Sequence, residues 1–314
     1  MPAITLEDLG ALVPGKLGPE SLSRYLRRHG LRADTRRSQN FLVDGEVLEA
    51  IVEAVDPSPG RHVLEIGPGL GVLTEALLRA GARITAVEVD ARMVAHLRGR
   101  QELRQVADAD MSLGRAVLPS AATHTEAALR IIHADILDTP LDSIMQAPYD
   151  VAANLPYHIT SPVLHHLLGR EPTPERFVLM VQREVAERIV AAPGGMSYLS
   201  VFVQYHAQVR LVRVVPPTAF EPAPAVESAV LAGTVLAPRL APAAEEELWR
   251  LVQAGFRERR KMVHNVLPRQ LPQVGRGRFD AALSQVGVVP DRRPQTLSVD
   301  EWLALAEALG PLDG

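Results

Sequence analysis

The sequence predicts a doubly wound, Rossmann-like α/β sheet followed by a small all-α domain, and three stretches carry that prediction. Between His62 and Asp90 an apolar strand, the tight turn Gly67-Pro68-Gly69-Leu70-Gly71, a helix and a second strand ending in Glu88 follow one another. Asp150 to Ala153 is a strand of the buried kind that stops abruptly at Asn154-Leu155-Pro156-Tyr157. Beyond Ala241-Pro242-Ala243 the apolar residues recur at helical spacing. The expected divisions are an N-terminal extension over 1–35, the sheet domain over 36–240 and the helical domain over 241–314. A chain of 314 residues is long enough for two cores.

Taken in order, Pro and Gly punctuate residues 1 to 18, and a helix is expected from Ser21 to His29, closed by Gly30. Arg36 to Leu42 reads as a loop whose polar residues lead into an apolar anchor. Val47, Leu48, Ile51, Val52 and Val55 place one face of a helix over Gly45 to Val55, which Asp56-Pro57-Ser58-Pro59-Gly60 ends. Strands are expected at His62 to Ile66, Arg83 to Val87 and Leu129 to His133, with helices after the first two. Val106 to Thr125 has weak periodicity and reads as a surface insertion. After Tyr157, Thr160-Ser161-Pro162 opens a helix, because Pro is tolerated in a first helical turn. Arg176 to Val181 is then a strand, and Glu184 to Ala192 and Tyr198 to His206 are helices separated by Pro193-Gly194-Gly195. Val209 to Val215 and Ser228 to Leu236 are β-branched runs expected to pair antiparallel at the end of the sheet. The Pro-rich loop between them is expected not to pair as a strand and to hold Phe220 rigidly at the sheet edge. Glu245 to Leu267 reads as one helix, with Arg257, Arg260, Lys261 and His264 at i, i+3, i+4, i+7 on a basic face.

Composition narrows the chemistry. Cysteine is absent, which removes disulfides, thiolate metal sites and a cysteine nucleophile, and the ten histidines show no metal-ligand spacing. No apolar run approaches ~18 residues and no secretory signal pattern opens the chain, so a cytoplasmic protein without membrane spans is expected. The net charge of -4 hides an asymmetry: residues 22–37 carry +5 and residues 250–278 carry +7, so the remainder carries -16. Two basic stretches on an otherwise acidic chain suggest a polyanion bound at one place.

The motifs point to a nucleoside-type cofactor and a reaction at nitrogen. The glycine spacing is Gly-x-Gly-x-Gly and not the dinucleotide Gly-x-Gly-x-x-Gly, which disfavours a nicotinamide dehydrogenase. Glu88 lies 21 residues after Gly67, where a carboxylate accepts two hydrogen bonds from a ribose diol. Asp135, just past a strand end, suits the amino group of an adenine, although a turn or N-cap Asp fits its position equally well. Pro156 holds Asn154 and Tyr157 at a stiff strand exit. An exocyclic amine is a poor nucleophile, because its lone pair is delocalised into the ring. The Asn154 side-chain oxygen and the Leu155 carbonyl are two acceptors that would draw its N–H bonds toward tetrahedral geometry, while Tyr157 stacks on the base. Read alone, the tetrapeptide also fits an ordinary turn, and Phe220 fits a core residue.

Together these residues resemble the small-subunit (16S) ribosomal RNA adenine N6-dimethyltransferases, from Ser38 to about Leu305. The resemblance rests on Gln39-Asn40-Phe41-Leu42, Glu65-Ile66-Gly67-Pro68-Gly69, Glu88, Asn154-Leu155-Pro156-Tyr157, Phe220-x-Pro222-x-Pro224-x-Val226-x-Ser228-Ala229-Val230 and Phe256-Arg257-x-Arg259-Arg260-Lys261. It implies a class I methyltransferase sheet and S-adenosylmethionine held by Gln39, Asn40, Leu42, Gly67, Gly69, Glu88, Asp135 and Asn154. The catalytic set would be Asn154, Leu155, Pro156, Tyr157 and Phe220, with the adenine clamped near Tyr157 and Phe220. Arg36, Arg37, Arg257, Arg260 and Lys261 would grip ribosomal RNA or an assembling small subunit, with the protein a monomer. The chain departs from the family at Ser38, where Gly is usual, in the length of residues 106–125, and at Gln295, where an acid is common. A non-catalytic RNA-binding assembly factor is the rival reading, and intact Asn154, Tyr157 and Phe220 argue against it.

Overall fold

The computed structural model describes residues 19–33, 39–100, 107–111 and 128–312, and places them in two compact units. One comprises Met1–Ala186 with Arg210–Val235, the other Glu187–Val209 with Leu236–Gly314. The second unit therefore includes Glu187–Val209, which the sequence pattern assigns to the sheet domain.

The sheet unit follows from strand composition. Helix α1 (Pro19–Arg28) precedes the two-residue strand β1 (Phe41–Leu42) and helix α2 (Gly45–Val55). Then come β2 (His62–Ile66), α3 (Val72–Arg79), β3 (Arg83–Glu88), α4 (Ala91–Gly99), β4 (Ala107–Met111), β5 (Leu129–His133), β6 (Asp150–Asn154) and β7 (Arg176–Gln182). The remaining strands are β8 (Ala207–Val215), β9 (Phe220–Glu221) and β10 (Ser228–Val235). Eight strands form one sheet in the order β4-β5-β3-β2-β6-β7-β10-β8. The pairs β2/β3, β2/β6, β3/β5, β4/β5 and β6/β7 are parallel and β10 runs antiparallel to β7, the mixed arrangement of a doubly wound sheet. Strands covered on both faces read as continuous apolar runs, and Val63, Leu64, Val151, Ala152, Leu179 and Val181 are fully buried.

Three local expectations are corrected. Residues 107–111, read as part of a surface insertion, form the edge strand β4 beside β5; most of the rest of that stretch lies outside the described residues. Phe220 and Glu221, in the loop expected not to pair, form β9 and pair antiparallel with Leu42 and Phe41. The prolines flank this pair without interrupting it, so its backbone groups stay available. Glu245 to Leu267 is not one helix: Pro242–Phe256 and Val263–Gln270 are separate helices joined by a turn. Leu248, Leu251 and Val252 of one and Val263, Val266 and Leu267 of the other enter the same core, which a straight helix would not permit.

At the opposite end of the strands from the site, buried Asp150 receives Arg61 through two hydrogen bonds of 2.8 and 2.7 Å and Arg176 at 2.8 Å. This fixes the starts of β2, β6 and β7, because a buried carboxylate without partners is costly. Gly233 faces Phe177 across the β10/β7 pair, and a Cβ there would overlap the Phe177 ring. Gly233→Ala is therefore expected to destabilise the sheet unit by about 1–3 kcal/mol, measured by denaturant unfolding, whereas an unchanged midpoint would refute this close packing.

Candidate active site

Strand order reverses on either side of β2, so no crossover covers the carboxyl ends of β2, β3 and β6. A cavity of about 330 Å³ lies there, lined by residues 39–42, 65–70, 87–89, 134–136 and 154–159, together with Ile51, Val72 and Leu73. The structure thus brings together Gln39, Asn40, Leu42, Gly67, Gly69, Glu88, Asp135, Asn154, Leu155, Pro156 and Tyr157.

The glycine turn needs its glycines. Gly67, Gly69 and Gly71 have φ of 67°, 56° and 81°, in the left-handed region that side chains disfavour, and a Cβ on Gly69 would meet the Phe41 ring at 3.5 Å. Glu88 is buried and accepts backbone N–H groups from Gly69 (3.1 Å) and Asp90 (2.8 Å). Burial raises its pKa, and the Asp90 and Gly69 bonds oppose that rise. Each carboxylate oxygen retains acceptor capacity, as a ribose diol would require. Asp135 accepts from the Leu137 N–H at 2.9 Å, so it caps a turn and also lines the cavity. The cavity thus suits a nucleoside cofactor: it has close backbone, a strand-end acid and a buried acceptor, Glu65 Oε2, without a hydrogen-bond partner.

The wall over this turn is held from a distance. Gln39 donates to Asp90 at 3.2 Å, and Asp90, whose carboxyl the Arg92 guanidinium holds down at about 2, also caps α4. Asn154 Nδ2 donates to the Asn40 carbonyl at 3.2 Å, which leaves Asn154 Oδ1 as an acceptor. Leu155 N–H donates to the Met180 carbonyl at 3.1 Å, fixing the residue whose own carbonyl is expected to act. The Tyr157 hydroxyl lies 2.7 Å from Ser228 Oγ, and burial raises its pKa while that bond opposes the rise. Ser228 is fully buried at the start of β10; it belongs to the Phe220–Val230 motif, but its contact with Tyr157 spans 71 residues and could not be read from that motif.

The structure does not bring Phe220 to the cavity wall. Its ring is 4 % exposed and packs in the sheet core with Leu42, Val47 and Val230. An apolar ring gains more from burial than from an exposed edge, so Phe220 supports β1, and through it Asn40, from behind. Of the basic residues, Arg36 and Arg37 lie outside the described residues, as does Ser38. Arg257, Arg260 and Lys261 are exposed on and beside the turn after helix Pro242–Phe256, not on one helical face. Arg257 donates to Gln270 at 3.2 Å. Among the described residues, no cluster of three or more His, Asp or Glu could hold a metal, and no helix is long and apolar enough to cross a membrane.

Comparison with known proteins agrees with this geometry. A curated relative from Geobacter metallireducens, "Ribosomal RNA small subunit methyltransferase A", is 38% identical over 296 residues, covering 92% of this chain and 100% of its own. A protein of that name from Anaeromyxobacter dehalogenans is 40% identical, covering 91% and 96%. Among solved structures, the 23S rRNA methyltransferase ErmE superposes with a TM-score of 0.64 at 27% identity, covering 86% of this chain and 99% of its own. A dimethyladenosine transferase from Plasmodium falciparum shares the fold, with a TM-score of 0.65 at 22% identity, covering 84% and 95%. The family model described as ribosomal RNA adenine dimethylase matches residues 30–310, nearly the whole described chain, and the protein belongs to that family.

Proposed function

We propose that this protein transfers methyl groups from S-adenosylmethionine to the exocyclic amines of two adjacent adenines in the 3′-terminal hairpin of small-subunit ribosomal RNA. The products are dimethyladenosines, and the role is in small-subunit biogenesis. The observation that carries the reading is Asn154. It stands at the carboxyl end of β6 with its amide nitrogen committed to Asn40 and its oxygen left to accept.

The sulfonium of the cofactor supplies an activated methyl group. This chain positions the amine against it. Asn154 Oδ1 and the Leu155 carbonyl accept its N–H bonds as the nitrogen becomes tetrahedral, and Pro156, with φ -55°, keeps the two acceptors in register. Tyr157, tied to Ser228, offers the face on which a flipped base stacks. Glu88 takes the cofactor ribose diol and Asp135 its adenine amine, with Gln39, Asn40 and Leu42 closing the wall. Arg257, Arg260 and Lys261 supply phosphate contacts from the helical unit.

The reading is tested by incubating the protein with labelled S-adenosylmethionine and either protein-free or protein-bearing small-subunit RNA. Dimethyladenosine in the digest of either substrate supports it; its absence from both overturns it. In single turnover at saturating cofactor, Asn154→Ala should slow transfer by about 2.7–4 kcal/mol in activation free energy with little change in RNA affinity. A wild-type rate would remove Asn154 from the chemistry. Glu88→Ala should weaken cofactor binding by roughly 30- to 150-fold, because two hydrogen bonds of ~1–1.5 kcal/mol disappear, and unchanged calorimetric affinity would contradict the ribose assignment. Replacing Arg257, Arg260 and Lys261 with Ala should lower the salt slope of RNA binding by about 0.7–0.9 for each phosphate no longer neutralised, and an unaltered slope would mean a merely solvated turn.

A further inference from the structure

Arg100 has no part in the reading above, yet among the described residues it is the one buried arginine. It caps the carboxyl end of α4, and its side chain is 4 % exposed. A buried guanidinium is costly unless its donors are satisfied, so its partners show what it holds. Nη1 donates to the carbonyls of Leu70 at 3.1 Å and of Gly71 at 3.3 Å, and Nη2 donates to the carboxylate of Glu75 in the first turn of α3. All three acceptors belong to the glycine turn and the helix it opens. Glu75 is buried too, and it also pairs with Arg79 at 2.6 Å, so its charge keeps a partner that does not depend on Arg100.

The glycine turn has few means of fixing itself. Glycines have the widest choice of backbone conformation and lose the most on ordering, and Gly71 caps α3 without a side-chain hydrogen bond. The peptide joining Leu70 to Gly71 is instead held from both sides: its N–H donates to the Pro68 carbonyl at 2.8 Å, and its carbonyl accepts from Arg100. The next carbonyl, that of Gly71, accepts the Glu75 N–H at 3.0 Å together with Arg100, so the guanidinium and the first bond of α3 act on the same peptide. Leu70 lines the cavity and packs in one cluster with Phe41 and Met93, so its side chain and its carbonyl are anchored separately. Arg100 does not line the cavity and would act on a ligand through the turn. A turn that relaxed at Leu70 would carry Gly69 with it, and the Gly69 N–H is one of the two backbone donors on Glu88.

We propose that Arg100 is a positioning residue for cofactor binding, which holds the glycine turn in its binding conformation before the cofactor arrives. The inference rests on the cofactor site proposed above and adds to it a group behind the cavity wall. The planar fork of a guanidinium reaches two carbonyls and a carboxylate at once, which a point charge on a flexible stem does not match. With the turn already ordered, the cofactor does not bear the entropy of ordering it, and its affinity rises by that amount. The methyl-transfer step itself does not involve Arg100.

The test is calorimetric titration of S-adenosylhomocysteine into the wild-type protein, Arg100→Ala, Arg100→Lys and Gly233→Ala, each at a temperature where denaturant unfolding shows it folded. Arg100→Ala should bind about tenfold more weakly, as a turn that occupies its binding conformation about one-tenth of the time would. Arg100→Lys keeps the charge beside Glu75 but loses the fork, and it should also bind several-fold more weakly. Should Arg100→Ala fail to fold, Arg100→Lys carries the comparison. Gly233→Ala strains the same unit away from the turn and should bind as the wild type does, which separates a positioning role from a loss of stability. In methyl-transfer assays the Arg100 variants should raise KM for S-adenosylmethionine and leave kcat unchanged, because saturating cofactor restores the turn. Wild-type affinity in either folded Arg100 variant, equal weakening in Gly233→Ala, or a fall in kcat with KM unchanged would each overturn the proposal while leaving the cofactor site standing. Failure of the wild-type protein to bind S-adenosylhomocysteine would overturn the site and the proposal together.

Discussion

Everything at the site depends on the reversal of strand order at β2. With β3 and β5 on one side and β6 and β7 on the other, the chain leaves β2 and β6 in opposite directions and cannot roof their ends. The opening this creates is lined by whichever residues end those strands. Here they are a glycine turn, Glu88 and Asn154. The ion pairs of Arg61 and Arg176 with Asp150 hold the far ends of the same strands, so the register that aligns Asn154 with Met180 and Ile66 with Ala153 is fixed at both ends.

A second layer of order comes from segments remote in sequence. The two-residue ribbon of Phe41–Leu42 with Phe220–Glu221 carries the backbone on which Asn40 receives the Asn154 amide. Phe220 anchors that ribbon in the core, and Ser228 holds the Tyr157 hydroxyl. An acceptor that must meet a reacting nitrogen gains from such support, because small displacements are costly in a positioned site. The two aromatic residues therefore divide their work: Tyr157 lines the cavity, and Phe220 keeps its wall in place.

The electrostatics of the cavity are acidic and desolvated. Burial raises both Glu65 and Glu88, and at Glu88 the backbone N–H groups of Asp90 and Gly69 oppose the rise. Such a site favours a ligand that brings positive charge, as a sulfonium with an ammonium does. In the helical unit the exposed cations lie on a turn, where Glu258 is occupied by Arg269 at 3.0 Å and by Gln270 at 3.0 Å. Pairing Glu258 within the unit leaves the net charge of that turn positive.

The sequence by itself determined the sheet class, most strands and helices to within a residue or two, and, Phe220 apart, candidate cofactor and catalytic residues that line the cavity. Periodicity, glycine and proline act locally and are legible one stretch at a time: the glycines at 67, 69 and 71 can take positive φ, and Pro156 stiffens the exit of β6. Pairings between distant segments were decided by the tertiary structure alone. The β1/β9 ribbon, the edge strand β4, the Ser228 contact and the burial of Phe220 depend on which surfaces meet, and local pattern does not encode partners 71 or 114 residues away. The same reason explains the turn at 257–262. Helical spacing across it is continuous in the sequence, but both flanking apolar faces must enter one core, so the chain bends where its cations can stay in water.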